Sequence, residues 1–220
     1  GVGMAQMTPN EQFIDVNESL CAILGYSREE LLQTTLFDIT EPEDRAMDQD
    51  NFRYLLDSEI ESYSLEKRLR CQDGLNRWCK ITLSRVGHYM NVPRHLIAVI
   101  EDISEARALS QQLSYQATHD ALTGTINRAE FERRLREVIR HTHIDSQIHT
   151  LCFLDLDQFK LINDTCGHLA GDEMLKQVTD MLETHLRRGD ILARLGGDEF
   201  GIIFAECDSD SAHVVSEKLR

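Results

Sequence analysis

The chain has 220 residues, 41% of them apolar and 28% charged, which is enough for one large globular domain or two ordinary ones. Its formal net charge of -15 argues against nucleic acid and anionic membrane surfaces as partners. It leaves room for a nucleotide whose phosphates a divalent cation neutralises, and no apolar run is long enough to predict membrane contact from this segment.

The first half reads as strands around short helices. FIDVN (13–17) alternates like a strand, and ESLCAIL (18–24) reads as a helix ending at Gly25. Ser27 and Glu30 have the spacing of a capping box ahead of Leu31 and Leu32. SYSLEKRLR (62–70) alternates, with Tyr63, Leu65 and Leu69 on one side, and Asp73-Gly74 marks a turn. RWCKITLSRV (77–86) and HLIAVIEDI (95–103) complete three late strands, predicting an antiparallel sheet with helices on one face. SEARALSQQLSYQAT (104–118) lacks Gly and Pro and favours helix, with Ala106, Leu109, Leu113 and Ala117 on one stripe. That stripe suits either a stiff connector packed beside a second copy or a plain linker helix.

In the second half, Asn127 is placed to cap a helix, with Glu130 three residues later. Phe131, Leu135, Val138 and Ile139 are its expected buried face. IHTLCFLDL (148–156) is nearly all apolar and predicts a central strand covered on both faces. It runs into Asp155 and Asp157, carboxylates that are costly at the end of a buried strand unless something binds them. A long helix is expected from about Asp172 to Leu186, with Leu175, Val178, Leu182 and Leu186 at helical spacing. LARL (192–195) and FGIIFAEC (200–207) then flank Gly196-Gly197-Asp198-Glu199 as hairpin strands. Adjacent carboxylates at such a bend fit an ordinary acidic turn or a seat for a cation.

Two resemblances cover the chain. DVNESLCAILGYSREELL, ITEPEDR at 39–45, LEKRLRCQDGLNRW and the closing EDIS together resemble a PAS sensor domain, from about Val2 to Ile103. HDALTGTINR at 119–128, FLDLDQFKLINDTCGHLAGDE at 153–173 and GGDEF at 196–200 resemble a diguanylate cyclase domain, with the motifs in the family's order and spacing. The organisation implied is an α+β chain: a PAS domain (1–103), a signalling helix (104–118), and the N-terminal part of a palm-like α/β GGDEF domain (119–220). The chain stops within the helix after FGIIFAEC, so the family's later strands are expected outside it, and this segment alone is expected to be inactive or incompletely folded.

The cyclase resemblance implies condensation of two GTP molecules into cyclic di-GMP, with release of pyrophosphate, by a homodimer holding Mg²⁺ or Mn²⁺. Asp155, the Leu156 carbonyl and Asp198 would hold the metal, since hard oxygen donors suit such cations and not zinc. Glu199 would assist deprotonation of the 3′-hydroxyl or complete the metal shell. Asp172 and Asn163 would contact guanine, whose N1–H and exocyclic amine form a donor pair that adenine lacks. On sequence alone Asp172 is equally a helix N-cap and Asn163 a turn residue. Phe159 and Lys160 would lie along the triphosphate. Arg187 and Asp190, separated by five residues from Gly196, match the family's R-x-x-D inhibitory product site. Thr125 stands where the family usually has a leucine lining the guanine pocket, which would loosen substrate binding. Alternatives are a cyclic di-GMP receptor without turnover, or a dimerising sensor module.

Other polar residues are read more plainly. No Asn-Cys-Arg context is present and no His lies between Arg45 and Arg70, so neither flavin nor haem is expected in the PAS domain. His88 and His95 read as strand or loop histidines. His141, His143 and His149 precede the expected central strand without metal-ligand spacing. The six cysteines, Cys21, Cys71, Cys79, Cys152, Cys166 and Cys207, form no C-x-x-C pair and are expected to be free thiols in the cytoplasm.

Overall fold

Glycine, alanine and methionine alternate with exposed residues at the start of the chain, and this pattern builds a strand. The computed structural model describes residues 1–47, 49–57, 59–89, 92–145 and 147–218. It divides into two units, Gly1–Leu109 and Ser110–Arg220.

In the first unit, β1 (Val2–Met7) turns Gly3, Ala5 and Met7 inward, and β2 (Phe13–Val16) pairs with it antiparallel. Small side chains give little hydrophobic contrast, which is why periodicity overlooked β1. Helix α1 (Glu18–Leu24) begins where Asn17 accepts the Leu20 N–H, and ends at Gly25, whose φ of 78° needs glycine. The expected capping box opens α2 (Arg28–Leu32), and a second box from Thr35 and Asp38 opens α3 (Leu36–Ile39). A 3-10 turn (Pro42–Asp44) and α4 (Gln49–Leu56) lead to β3 (Ser62–Arg70), β4 (Asn76–Tyr89) and β5 (Val92–Asp102).

The sheet order is β2-β1-β5-β4-β3, antiparallel throughout. Leu20, Leu24, Leu31, Leu36 and Leu55 from the helices pack with Leu69, Ile81, Leu83, Leu96 and Ile100 in one core. Asp44 pins the helical side to β3 by accepting from Arg68 N, Nε and Nη2 at 2.7 to 2.9 Å. His95 is half-buried in β5 opposite Val86; the side chains of His88 and His143 lie outside the described residues.

Helix α5 (Ser104–Thr118) joins the units. The second unit opens with β6 (Ile126–Asn127), parallel to β8 (Ile191–Gly196), in a sheet of order β6-β8-β9-β7. Asn127 accepts the Glu130 N–H at 3.0 Å and so caps α6 (Arg128–Asp145), as expected. Phe131, Leu135 and Val138 pack against Ala193 and Ile203, whereas Ile139 is 50% exposed. Ile139 was expected inside; it instead borders an open groove of about 370 Å³ with Leu151.

β7 (Thr150–Asp155) corrects another expectation. It is the edge of the described sheet, paired only with β9 (Glu199–Phe204), and it leaves Phe153 64% exposed. Cys152 and Leu154 pack inward, so a continuous apolar run here conceals a one-sided strand. Helices α7 (Phe159–Cys166) and α8 (His168–His185) follow, and α9 (Ser209–Lys218) packs Ala212 beneath the sheet.

Glu130 supplies a stability test. Its side chain is buried, and Arg133 and Arg134 both donate to it at 2.7 to 2.8 Å, pulling its carboxyl to about 2 from 4.5. A carboxylate lowered on folding stabilises above its unfolded pKa, and that contribution fades as pH falls from 4.5 towards 2. Glu130→Gln should therefore lower the urea midpoint at neutral pH, with the difference from wild type vanishing near pH 2. An unchanged difference across that window would contradict the assignment.

Candidate active site

The site is built around a two-residue hairpin turn. Gly196 pairs with Glu199, leaving Gly197 and Asp198 as the turn, with a register shift between Arg194 and Gly196. Gly197 sits at φ 57°, in the left-handed region, with open space around it. Asp198 is half-buried, while Glu199 opens β9 with an exposed side chain.

Across the sheet, Asp155 is the direct partner of Glu199. Like charges facing each other on neighbouring strands destabilise the pair. Arg128 relieves part of this, since its Nη2 lies 3.2 Å from Glu199 Oε2 while its Nε donates to the Leu195 carbonyl at 2.9 Å. Among the described residues, no cationic side chain pairs with Asp155. Arg128, Asp155 and Glu199 line one cavity of about 500 Å³ together with Phe153 and Phe200.

Beyond Asp155 the chain turns sharply. The Leu156 carbonyl accepts the Phe159 N–H at 3.3 Å, and Gln158 takes a left-handed conformation at φ 62° to start α7. Phe159 is 9% exposed and packs with Leu175 and Phe200, so its ring belongs to the core; Lys160 is exposed. Asn163 lies inside α7, not in a turn, and Asp172 lies in the second turn of α8, whose N-cap position is Gly167. Neither residue thus fills the local structural role that spacing alone offered. Gly171 brings α7 and α8 together, because a Cβ there would overlap Asn163 Oδ1 and sit 3.2 Å from Phe159 Cζ. That close approach packs α7 against α8, and Asn163 and Asp172, one on each helix, are both half-buried.

Arg187 and Asp190 lie elsewhere, on a second cavity of about 400 Å³ with His119, Thr125, Arg134 and Arg188. Arg187 follows the end of α8 and is exposed. Asp190 accepts the Arg187 N–H at 2.9 Å and the Ala205 N–H at 3.1 Å, so its carboxylate also shapes the loop. Thr125, expected to line the guanine pocket, is buried in the wall of this second cavity, its hydroxyl 3.0 Å from that of Thr123.

Sequence reasoning assigned no role to Asp120, Arg128 or Arg194, although all three belong to the quoted motifs or flank them. Arg194 donates to the Gly197 carbonyl through Nε at 2.9 Å and Nη2 at 2.8 Å, and to Asp120 through Nη1 at 3.0 Å. Burial pushes the Asp120 carboxyl up, but hydrogen bonds from the Thr123 N–H, the Thr123 hydroxyl and Arg194 outweigh it and hold it below the usual carboxylate range.

Comparison with known proteins fits this geometry. Residues 117–220 match the family model described as diguanylate cyclase, GGDEF domain, and residues 13–100 match that described as PAS fold. The chain joins a PAS fold to a GGDEF domain. Probable diguanylate cyclase DgcE of Escherichia coli (strain K12) is 45% identical over 123 residues, 56% of this chain and 11% of that protein. Cyclic di-GMP phosphodiesterase PdeB of Shewanella oneidensis is 45% identical over 126 residues, 56% of this chain and 14% of that protein. The chain therefore spans a small part of these two relatives. The crystal structure of the coiled coil and GGDEF domain of DgcB from Caulobacter crescentus, in complex with c-di-GMP, is similar with a TM-score of 0.51 at 29% identity. That match covers 54% of this chain and 62% of that one.

The GGDEF turn carries a backbone prediction. Gly197→Ala has no steric neighbour to meet, so its cost is conformational, about 1–2 kcal/mol for a left-handed non-glycine residue. Gly197→Asn should recover part of that loss, because Asn tolerates this region better. Denaturant unfolding of the two variants beside wild type would read the difference, and equal stability of all three would contradict it.

Proposed function

We propose that the GGDEF domain condenses two GTP molecules into cyclic di-GMP and two pyrophosphates, regulated by the PAS domain. The observation that carries this reading is the facing pair Asp155 and Glu199 beside Asp198, within a domain of the diguanylate cyclase family. Asp155, Asp198 and the Leu156 carbonyl would hold Mg²⁺ or Mn²⁺. Among the described residues, no three His, Cys, Asp or Glu side chains could hold an ion by themselves. A magnesium-type cation binds through one or two carboxylates and takes its other ligands from substrate phosphates and water. The bound cation would neutralise charge on the α-phosphate and the departing pyrophosphate.

The remaining steps fall to the chain's own groups. Asp172 and Asn163 would accept and align guanine, and an adenine would leave the Asp172 carboxylate without its paired donors. With its ring in the core, Phe159 would meet the triphosphate only through its backbone, while Lys160 would offer a point charge. Glu199 would draw the proton from the attacking 3′-hydroxyl or complete the metal shell, with Arg128 Nη2 held 3.2 Å from its carboxylate.

Regulation and dimerisation are supported by α5. Its first turn is tied to the PAS sheet: Arg107 pairs with Glu66 at 2.6 Å and stacks 4.0 Å over Trp78, while Ser104 Oγ accepts the Trp78 N–H. Yet α5 buries none of its residues, and Leu109 and Leu113 are 55% and 57% exposed. A 15-residue helix solvated all round is marginal alone, so the Ala106–Leu109–Leu113–Ala117 stripe is assigned to a second copy. The Arg187 cavity would bind product and inhibit. The same cavity supports the second reading, a cyclic di-GMP receptor without turnover.

Incubation of the full-length protein with GTP and Mg²⁺ should yield cyclic di-GMP, and Glu199→Ala should slow this at least about 10²-fold while staying folded. Turnover unaffected in Glu199→Ala would overturn the site; tight cyclic di-GMP binding with no turnover in wild type would favour the receptor. Arg187→Ala should keep turnover and lose inhibition by added cyclic di-GMP. It is a cleaner test than Asp190→Ala, which would also release the Arg187 and Ala205 N–H groups.

A further inference from the structure

The tip of the β8–β9 hairpin has little to hold it: two glycines occupy it, and no atom lies within 4 Å of where their Cβ atoms would be. A turn of that composition is conformationally loose. Its described side-chain anchors are two arginines. Arg194, with only 13% of its side chain exposed, grips the Gly197 carbonyl with two donors and Asp120 with a third. Arg128 holds the Leu195 carbonyl and Glu199. Both arginines lead back to one loop.

That loop is closed on itself. The Asp120 N–H donates to the Thr125 carbonyl at 2.8 Å, and the Asp120 carbonyl accepts the Gly124 N–H at 2.9 Å. Asp120 Oδ1 also accepts the Thr123 N–H at 3.0 Å and the Thr123 hydroxyl at 2.8 Å. The loop is hooked to the last turn of α5: Asn127 Nδ2 donates to the Ala117 carbonyl at 3.0 Å, and the Tyr115 hydroxyl donates to the Gly124 carbonyl at 3.3 Å. Asn127 in turn pairs with Arg194 in the parallel β6–β8 ladder and immediately precedes Arg128. An unbroken set of polar contacts therefore runs from the end of α5 to the signature turn, all within Ser110–Arg220.

We propose that Asp120, Asn127 and Arg194 are positioning residues, a joint through which the placement of the last turn of α5 sets the placement of the Gly197–Glu199 turn. Arg suits the central position because its planar fork binds a carboxylate and a carbonyl at once, which the single ammonium of Lys does not reproduce. The effect of this joint on turnover rests on the cyclase reading; the joint itself does not. Spatial continuity alone is not coupling, so the test must measure a response at one end to a change at the other.

Asn127→Asp makes that change selectively, since it keeps an oxygen for the Glu130 N–H but removes the donor to α5. Amide hydrogen exchange across Gly196–Phe200 would be measured in wild type, Asn127→Asp, Arg194→Lys and the double variant, with α8 as internal reference. Each single variant should speed exchange in the hairpin about fivefold to tenfold, the scale of one lost hydrogen bond, with α8 unchanged. The double variant should exceed neither single by much, because both break one path. Wild-type hairpin exchange in Asn127→Asp, or fully additive effects, would overturn the proposal. With GTP, the singles should lower kcat and leave KM near wild type. Absent turnover in the full-length wild type together with the stated exchange pattern would sink the cyclase reading and leave the joint standing.

Discussion

Asp155 and Glu199 face each other across two antiparallel strands, and much of the second unit is arranged around that repulsion. An apolar strand must deliver the first carboxylate to the end of the sheet, and a tight turn must deliver the second opposite it. Arg128 then sits against Glu199, and glycines let the turn close in two residues. Solvent exposure of both carboxylates and the Arg128 contact ease the cost of gathering negative charge at one edge, and a bound cation would ease it further. The proposed metal–nucleotide chemistry would supply one.

The same constraint explains why the hairpin is braced from outside. Glycine at Gly196 and Gly197 gives the backbone room, at the cost of rigidity. Arg194 restores it by tying the Gly197 carbonyl to Asp120, a loop residue 74 positions away in sequence. Because that loop also clasps the end of α5, the stiffness of the turn is borrowed from the connector helix. At its other end, the helix is held by Arg107 against Trp78 and Glu66. A solvated helix fastened at both ends, with its apolar stripe uncovered, is an economical way to join a PAS fold to a GGDEF domain.

Much of this was legible in the residues. The caps at Ser27 and Asn127 work through contacts three residues away, so spacing alone reveals them. Motif order pointed to the domain families and to Asp155, Asp198 and Glu199. The failures share a cause. β1 is built from small residues, β7 is apolar on both faces although only one is covered, and Ile139 continues a helical stripe past the point where the sheet supports it. In each case local pattern states what a side chain prefers, and not whether a neighbour is there to meet it. Asp172 and Asn163, which spacing alone also offered as a cap and a turn residue, both lie within helices.

By itself, then, the sequence determined the chemistry on offer: which carboxylates stand at strand ends, which glycines permit the turn, and which families the motifs belong to. These depend on residue identity and short spacing, which the chain carries regardless of how it packs. Only the tertiary structure decided that Asp155 lies opposite Glu199, that Thr125 joins the Arg187 cavity, and that Arg194 links Asp120 to Gly197. Those are contacts between residues tens of positions apart. Strand register and helix packing bring them together, and neither is written in any single stretch of the chain.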